Sequence, residues 1–326
     1  MSNIGGRHER ILSIYDSLLN GEDFNLNSAA DYFCVSKKTI KRDIDDIRNF
    51  LSEKQNEKGI SSELIYNRKN NTYYLNHNNT LKSKEIFIIC KILLESKALC
   101  KKEFEVILEK LLKITAQDQD NKLVKDMIAN ENYHYNEPQH KKKLLDDIWN
   151  LSMAIKSCLK IKIKYNRLTE PTYKERVIEP VGIMFSDYYF YLIAFIPEKK
   201  TKYPTVYRID RISEYEISNE KFKVPYSSRF EEGEFRKRVQ FMYGGDLLHL
   251  EFKYYGESPE AILDRLPTAE IVNKEEGKCI FKAEVFGRGI KPWLLAQADK
   301  IEVLKPLELR QEMQDLISKM LYNYMD

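Results

Sequence analysis

Two arginines and an aspartate lie inside residues 205–212, TVYRIDRI, a stretch that otherwise alternates like a β-strand. A guanidinium group binds phosphate bidentately, so a sheet that holds Arg208 or Arg211 toward a cavity would suit an anionic ligand. In a regular strand Arg208 and Asp210 share one face and Arg211 lies on the other, so the two arginines converge only where the strand bends near Asp210. The stretch therefore predicts either an anion site or a half-exposed strand with a surface ion pair.

A second set of polar residues combines cations with small hydroxyl side chains: Ser36, Lys37, Lys38, Thr39, Lys41 and Arg42. The apolar residues of this region recur at helical spacings of four, three and four: Ile40, Ile44, Ile47 and Leu51. Ser36 is suited to cap that helix, which we expect to run to about residue 53. The acids Asp43, Asp45 and Asp46 come behind the cations, so the first half of the helix is basic and suits phosphate.

The flanking segments predict the elements that position this helix. Residues 7–20 and 28–33 predict two more helices, the second capped by Ser28, and residues 62–76 predict a hairpin with Arg68 and Lys69 at its tip. This order is typical of a winged helix-turn-helix, whose second helix enters the roughly 12 Å wide major groove of DNA. The alternative is a helical subdomain whose basic turn is only solvated, because residues 1–80 carry equal numbers of acidic and basic side chains.

The rest of the chain changes periodicity twice. Residues 81–159 follow a helical pattern, which suits a connector or dimerisation element as well as the wall of a helical bundle. Period-two alternation begins at residue 159, and the short strands that follow without helices between them predict a small, bent antiparallel barrel. After residue 235 strands and helices mix in a βαββαβ-like order, which predicts an α+β sandwich.

Composition argues against several classes of protein. The net charge is only +3, from 53 Lys/Arg against 50 Asp/Glu, so any nucleic-acid-binding surface must be local. The five cysteines are dispersed and form no CxxC pair, which argues against a disulfide framework or zinc knuckle. No stretch reaches the roughly 18 apolar residues of a membrane span, and no apolar signal core begins the chain, so we expect a cytoplasmic protein without a membrane partner.

The usual motifs of catalysis are missing from the sequence. There is no GxxxxGK[ST] loop and no HExxH pair, and GRG at residues 287–289 lacks the third glycine of a dinucleotide fingerprint. The five histidines are dispersed, with no i, i+4 pair for a metal. We therefore expect no catalytic residues, no metal, no cofactor and no enzymatic activity.

Four segments together resemble a known family. The run DYYFYLIAF resembles the motif that names the WYL domain, with Phe190, Tyr191 and Leu192 in its three positions. IEPVGIMF before it and YRIDRI after it are similar to the flanking strands of that domain. The run KPWLLAQADKIEVLKPLELRQEM resembles the WCX extension that commonly follows a WYL domain. With the predicted winged helix, the resemblance covers nearly the full chain.

The resemblance implies an α+β multidomain protein in four parts. These are a winged helix-turn-helix DNA-binding domain at 1–80, a helical linker or dimerisation region at 81–137, a ligand-sensing WYL domain with its leading helix at 138–235, and a WCX domain at 236–326. The WYL domain of the family is an Sm/SH3-like small β-barrel, and the WCX domain is the α+β sandwich.

The family's ligand residues fall on four positions of this sequence: Tyr165, Tyr191, Arg208 and Arg211. We expect Arg208 to make the anion contact, and the two tyrosines to stack a base or hydrogen-bond a phosphate. Two departures from the family pattern concern this site. The motif tryptophan is Phe190, and an arginine often found at the position of Thr205 is absent.

The resulting prediction is a ligand-responsive bacterial transcriptional regulator. It would bind a double-stranded DNA operator as a homodimer and sense a nucleotide or single-stranded nucleic acid through its WYL domain. Two alternatives stay open. One is a non-catalytic nucleic-acid-binding accessory protein that modulates a defence effector, in which the winged helix would be vestigial. The other is an enzyme acting on nucleic acid, which only the basic segments favour.

Overall fold

The structure is a computed structural model of the chain, and it describes residues 6–19, 22–58, 62–77, 81–112, 118–166, 172–199, 203–223, 230–275 and 277–325. Helices and strands are both abundant, as expected of an α+β protein. The chain divides into two compact units, Met1–Glu137 and Pro138–Asp326.

The first unit begins with three helices and a small sheet. Its elements, in chain order, are α1 (Arg7–Leu19), β1 (Phe24–Asn25), α2 (Leu26–Tyr32), α3 (Lys37–Lys58), β2 (Ser62–Asn67) and β3 (Thr72–His77). The apolar stripe predicted on α3 is buried against α1 and the hairpin, in a core that includes Ile14, Ile40, Ile44, Leu64 and Tyr73. The three helices and the hairpin predicted for this region are therefore present in the predicted order.

Two local features of this region differ from the sequence prediction. Asn25, rather than Ser28, caps α2, because its Oδ1 accepts hydrogen bonds from the backbone N–H groups of Asn27 and Ser28. The short strand β1 was not predicted; it pairs antiparallel with β3, so the hairpin becomes a three-stranded sheet of order β1-β3-β2. This pairing ties the loop after α1 to the strand that follows the hairpin tip.

The described residues of the first unit form three further helices: α4 (Ser83–Ser96), α5 (Lys101–Leu112) and α6 (Asp118–Tyr133). Phe104 of α5 stacks on Tyr135 with ring centroids 4.4 Å apart, and the Tyr135 hydroxyl donates to the carbonyl of Leu99 at 2.8 Å. Burial raises the pKa of Tyr135. These contacts pack the chain beyond α6 against α5.

The second unit begins with one helix and five strands. They are α7 (Leu145–Lys156), β4 (Leu159–Tyr165), β5 (Lys174–Ser186), β6 (Tyr189–Phe195), β7 (Thr205–Arg208) and β8 (Ile212–Lys221). The strands form an antiparallel sheet of order β7-β6-β5-β4-β8. Strand β5 pairs with β4 through its first half and with β6 through its second half, so it links both halves of the sheet.

The alternation of residues 205–218 predicted one strand, but the structure interrupts it. A single 3₁₀ turn, Ile209–Arg211, separates β7 from β8. Ile209 and Asp210 are 2% and 6% exposed, and two consecutive residues cannot both point inward in a regular strand. The turn lets both side chains enter the interior, and it is the bend near Asp210 that the arginine geometry requires.

The chain ends in four strands and four helices. They are α8 (Glu232–Arg238), β9 (Leu247–Tyr254), α9 (Pro259–Arg265), β10 (Glu270–Glu275), β11 (Lys278–Phe286), α10 (Ile290–Ala296), β12 (Ile301–Lys305) and α11 (Leu307–Tyr322). After α8, the order is the predicted βαββαβ followed by a last helix, and the strands form one antiparallel sheet of order β10-β11-β9-β12. Phe252 and Phe281 stack in its core at 5.4 Å, beside Trp293 of α10.

Candidate functional site

The amino end of α3 presents the predicted set of hydroxyl and basic side chains. Ser36 precedes the helix, and its Oγ accepts the backbone N–H of Thr39 at 3.1 Å, so Ser36 caps α3 as predicted. The Thr39 hydroxyl lies 2.8 Å from the same oxygen. The four cations of this half are exposed and, within the described part of the chain, none makes an ion pair: Lys37, Lys38, Lys41 and Arg42.

The acids that follow on α3 are neutralised by other cations. Arg10 of α1 holds Asp43 through Nε–H and Nη2–H, at 2.6 and 3.3 Å, and both side chains are buried. The hydrogen bond to Asp43, which outweighs burial, raises the pKa of Arg10. Arg7 donates to Asp46 at 2.5 Å, and Arg48 pairs with Asp45 at 2.7 Å.

This sorting of charge leaves α3 basic at its amino end in spite of a balanced composition. Each acid of the helix segment 43–46 has a cationic partner within the same unit, whereas the cations before it have none among the described residues. These ion pairs neutralise Asp43, Asp45 and Asp46, so they do not offset the positive charge of the lysines and Arg42 at the amino end of α3.

Arg68 and Lys69 lie at the tip of the β2–β3 hairpin, as predicted. Both are exposed, and neither makes an ion pair with another described residue. The tip is shaped by local hydrogen bonds: the backbone N–H of Lys69 donates to Asn67 at 3.0 Å, and the Tyr66 hydroxyl donates to Asn71 at 2.5 Å. The hairpin thus holds both cations on a turn that these hydrogen bonds order.

The four residues proposed for ligand binding line one cavity of about 480 Å³: Tyr165, Tyr191, Arg208 and Arg211. Tyr165 ends β4, Tyr191 lies in β6 opposite Arg208 of β7, and Arg211 closes the 3₁₀ turn. Because the turn replaces a regular strand, both arginines reach the same cavity. We call this space the Arg211 cavity.

Arg208 is held by protein groups in this cavity. Its guanidinium donates to both carboxylate oxygens of Asp210, from Nε at 3.0 Å and from Nη2 at 2.8 Å, and its Cζ lies 3.3 Å from the centroid of the Tyr189 ring. Burial lowers the pKa of Arg208, but the hydrogen bond and charge of Asp210 outweigh it and raise the pKa overall. The edge of Arg208 that we expected to bind phosphate is therefore occupied by Asp210.

Arg211 differs from Arg208 in having no partner for its guanidinium among the residues that the structure describes. It is partly buried, and its guanidinium makes no ion pair or hydrogen bond with any described residue. Its backbone carbonyl accepts the N–H of Asn166 at 3.0 Å, which fixes the turn that carries it. The two arginines therefore differ: Arg208 is paired with Asp210, whereas Arg211 has no such partner among the described residues.

The two tyrosines of the cavity have different surroundings. The Tyr165 hydroxyl accepts the backbone N–H of Arg208 at 3.3 Å, and its ring meets Tyr207 edge-on at 5.1 Å. Tyr191 is partly buried; burial, which outweighs the opposing charge of Arg208, raises its pKa to about 12. Tyr191 is therefore a neutral hydroxyl near pH 7 and can donate a hydrogen bond to an anion.

The wall that the segment 241–244 supplies was not predicted from the sequence. Phe241, Met242, Tyr243 and Gly244 line the Arg211 cavity together with Tyr203. The backbone of this segment packs against the GRG stretch. A Cβ at Gly289 would lie 2.1 Å from the carbonyl oxygen of Gln240, and one at Gly287, whose φ is +61°, would lie 2.5 Å from that of Gly244. The glycines of the GRG stretch could have indicated that another backbone segment approaches closely. That segment lies more than 40 residues away in sequence, so its identity could not be predicted.

Two kinds of site are not found in the part of the chain that the structure describes. No group of three or more His, Cys, Asp or Glu side chains could hold a metal ion there. No helix within those residues is long and apolar enough to cross a membrane.

Comparison with known proteins identifies two domains. The family model described as "WYL domain" matches residues 148–217, and that described as "WCX domain" matches residues 248–321. The segment 241–244 lies between the two matched ranges. No curated protein matches the sequence.

Two solved structures show partial similarity. "Proteasome accessory factor B/C (PafBC) of Arthrobacter aurescens" has 15% sequence identity and a TM-score of 0.33, over 98% of this chain and 48% of that one. A "CRISPR Cas-related protein" has 16% identity and a TM-score of 0.39, over 76% of this chain and 75% of that one. This chain spans about half the length of the first. The comparisons therefore show that the chain carries a WYL domain followed by a WCX domain.

Proposed function

We propose that the protein is a ligand-responsive, non-catalytic transcriptional regulator that binds operator DNA as a homodimer. The observation that carries the proposal is the sorting of charge on α3. Its acids Asp43, Asp45 and Asp46 are held by arginines, while the cations of its amino half have no partner among the described residues. A helix that only packed in a bundle would gain nothing from this arrangement.

The order of elements in the first unit suits a winged helix-turn-helix. Helix α2, a tight turn at Cys34 and α3 are followed by the β2–β3 hairpin, and they share one apolar core. In this fold α3 enters the major groove with its amino end leading, where N–H groups and cations meet phosphates and base edges. The hairpin then acts as the wing and brings Arg68 and Lys69 to the neighbouring backbone.

The Arg211 cavity suits a nucleotide or a short single strand of nucleic acid. Its volume of about 480 Å³ is that of a small-molecule site. The open guanidinium of Arg211 would bind phosphate, and the neutral hydroxyl of Tyr191 would donate to it. Tyr165 and Tyr243 offer ring faces on which a base can stack. In this proposal the five-stranded sheet is the small Sm/SH3-like barrel of the family.

The proposed response to ligand is a change in DNA affinity. A homodimer reads two half-sites about one helical turn apart, so a ligand that alters the spacing of the two heads alters operator binding. The coupling requires that saturating nucleotide or oligonucleotide changes the operator Kd measurably.

The test of DNA binding is selection of bound duplexes from a random pool. Wild type should recover an inverted repeat, and the Lys41→Ala/Arg42→Ala variant should not. Candidate ligands are then titrated against the recovered operator. If the folded wild type recovers no motif with or without ligand, the regulator proposal is refuted, and a nucleic-acid-binding accessory protein becomes the better account.

The non-catalytic part of the proposal has its own test. Labelled single- and double-stranded DNA and RNA incubated with the protein and Mg²⁺ should remain intact. Cleavage that scales with protein concentration and is lost with chelator would refute it.

A further inference from the structure

A second cavity lies beside the Arg211 cavity in the same unit. Its volume is about 310 Å³, and it is lined by Met184 to Ser186 at the end of β5, by α8, by the segment 239–242 and by Arg265 and Pro267 at the end of α9. Phe241 and Met242 line both cavities, and no other residue is common to the two. We call this second space the Arg265 cavity.

Two arginines supply free positive charge to the Arg265 cavity. Arg236 of α8 and Arg265 of α9 are exposed, and neither has a carboxylate partner in the described ranges. The Cζ of Arg265 lies 5.3 Å from the centroid of the Phe241 ring, so this guanidinium is oriented by a cation–π contact that leaves its hydrogen-bond donors open.

The carboxylates of α8 near these arginines are used elsewhere. Glu234 pairs with Lys237 at 2.5 Å and with Arg238 at 2.7 Å, and Arg238 also pairs with Glu284 at 3.0 Å. Glu232 accepts the backbone N–H of Ile183 at 3.0 Å. The neighbouring cations are therefore neutralised, whereas Arg236 and Arg265 are not.

The cavity is also lined by a polar side chain that belongs to a largely buried residue. Gln240 is 4% exposed and lines the Arg265 cavity, and its side-chain amide makes no hydrogen bond with any described residue. The amide is therefore available to a ligand or to solvent that enters the cavity. Its NH₂ group can donate to an anion.

We propose that the Arg265 cavity is a second anion site that binds a phosphate group. Arg236 and Arg265 provide the charge and bidentate donors, and the Gln240 amide provides a further donor from the lining of the cavity. The aromatic face of Phe241 is already engaged by Arg265, so the site selects for charge rather than for a stacked base.

The shared wall of Phe241 and Met242 has a consequence for the size of the ligand. If one ligand fills both cavities, its phosphates lie on either side of this wall. That extension rests on the proposed sensor function, whereas the phosphate site itself does not. The phosphate comes from one of two sources, a phosphomonoester such as a free nucleotide or a phosphodiester of a single strand.

The test uses the full-length protein and three probes: inorganic phosphate, a nucleoside monophosphate and a single-stranded tetranucleotide. Binding is measured by titration calorimetry for wild type and for Arg236→Ala/Arg265→Ala. We expect the double variant to weaken binding of at least one probe by about tenfold or more, as for loss of charge-assisted hydrogen bonds. The control, Lys300→Ala/Lys319→Ala, removes the same charge from exposed lysines that line neither cavity, and should bind as wild type.

The probes distinguish the source of the phosphate. Loss confined to the tetranucleotide would assign a phosphodiester, and loss that includes the two smaller probes would assign a phosphomonoester or free phosphate. The site is refuted if wild type binds no probe, or if the arginine variant weakens binding no more than the lysine control does.

Two more variants keep the test independent of folding and of the sensor proposal. Gln240→Met has a similar length and removes the whole amide group; it should retain the wild-type melting temperature and weaken the same probe, and unchanged affinity would remove Gln240 from the site. Arg211→Ala should abolish binding in the Arg211 cavity alone. If Arg211→Ala has no effect while Arg236→Ala/Arg265→Ala does, the second site stands and the proposed sensor cavity does not.

Discussion

The salt dependence of operator binding offers a quantitative test of the charge sorting on α3. Six cations of each head lie on the predicted DNA-facing elements without an ion-pair partner among the described residues: Lys37, Lys38, Lys41, Arg42, Arg68 and Lys69. Each phosphate contact contributes a slope of about −0.9 to log K against log salt concentration. Lys41→Ala/Arg42→Ala removes two contacts from each of the two heads of a dimer, so the slope should become shallower by about 3.6.

The assay is fluorescence anisotropy with a labelled operator between about 50 and 200 mM KCl, the range in which counterion release is measured readily. The matched control is Arg48→Ala/Lys91→Ala, which removes two exposed cations that are already paired, Arg48 with Asp45 and Lys91 with Glu131. It changes net charge equally and should leave the slope nearly unchanged. Equal slopes for the two double variants would refute the assignment of Lys41 and Arg42 as phosphate contacts.

Further predictions concern stability, pH and the cavity wall. Ser36→Ala should lower the free energy of unfolding of its unit by about 1 kcal/mol in chemical denaturation, because the N–H of Thr39 loses its cap; no change would contradict the cap. Asp210→Ala should cost about 3–5 kcal/mol, since it leaves the Arg208 guanidinium without its partner; a cost below about 1 kcal/mol would show that the pair is solvated. Burial raises the pKa of Tyr191 from 10.0 to about 12, so the folded state binds the phenolic proton more tightly, and the stability this contributes is present below pH 10 and lost as pH rises to about 12. Tyr191→Phe should therefore lose less stability than wild type over that pH interval, and parallel curves would contradict the burial. Gly289→Ala should lower the melting temperature and weaken nucleotide binding, because its Cβ would displace the carbonyl of Gln240; wild-type values for both would show that the segment 241–244 is not held there.

The sequence was sufficient for elements whose signals are local. The stripe Ile40–Ile44–Ile47–Leu51 and the cap at Ser36 predicted α3, because both rest on residues within a few turns of one helix. The βαββαβ order of the C-terminal region followed from changes in periodicity for the same reason. The WYL and WCX resemblances are confirmed, since motif residues within a strand or helix remain adjacent in sequence. The roles of the twelve residues assigned to DNA and ligand remain predictions.

Contacts between segments that are distant in sequence could not be predicted from periodicity, capping residues or local motifs. Strand β1 has two residues and pairs with β3 almost 50 positions later, so it has no periodicity of its own. The position of Gln240 in the lining of the Arg265 cavity depends on segments that are distant from it in sequence. The glycines of the GRG stretch marked a tight approach, but not the segment that approaches.

The stretch TVYRIDRI shows which properties could be predicted from the sequence and which depended on the tertiary structure. Its alternation predicted strand, and its composition predicted a possible anion site, because side-chain chemistry and local period belong to the chain alone. Which arginine is free depends on the 3₁₀ turn Ile209–Arg211 and on the burial of Asp210, which claims Arg208 and leaves Arg211 open. Burial depends on how the whole domain packs. The tertiary structure therefore determines which of the two arginines, three residues apart, pairs with Asp210.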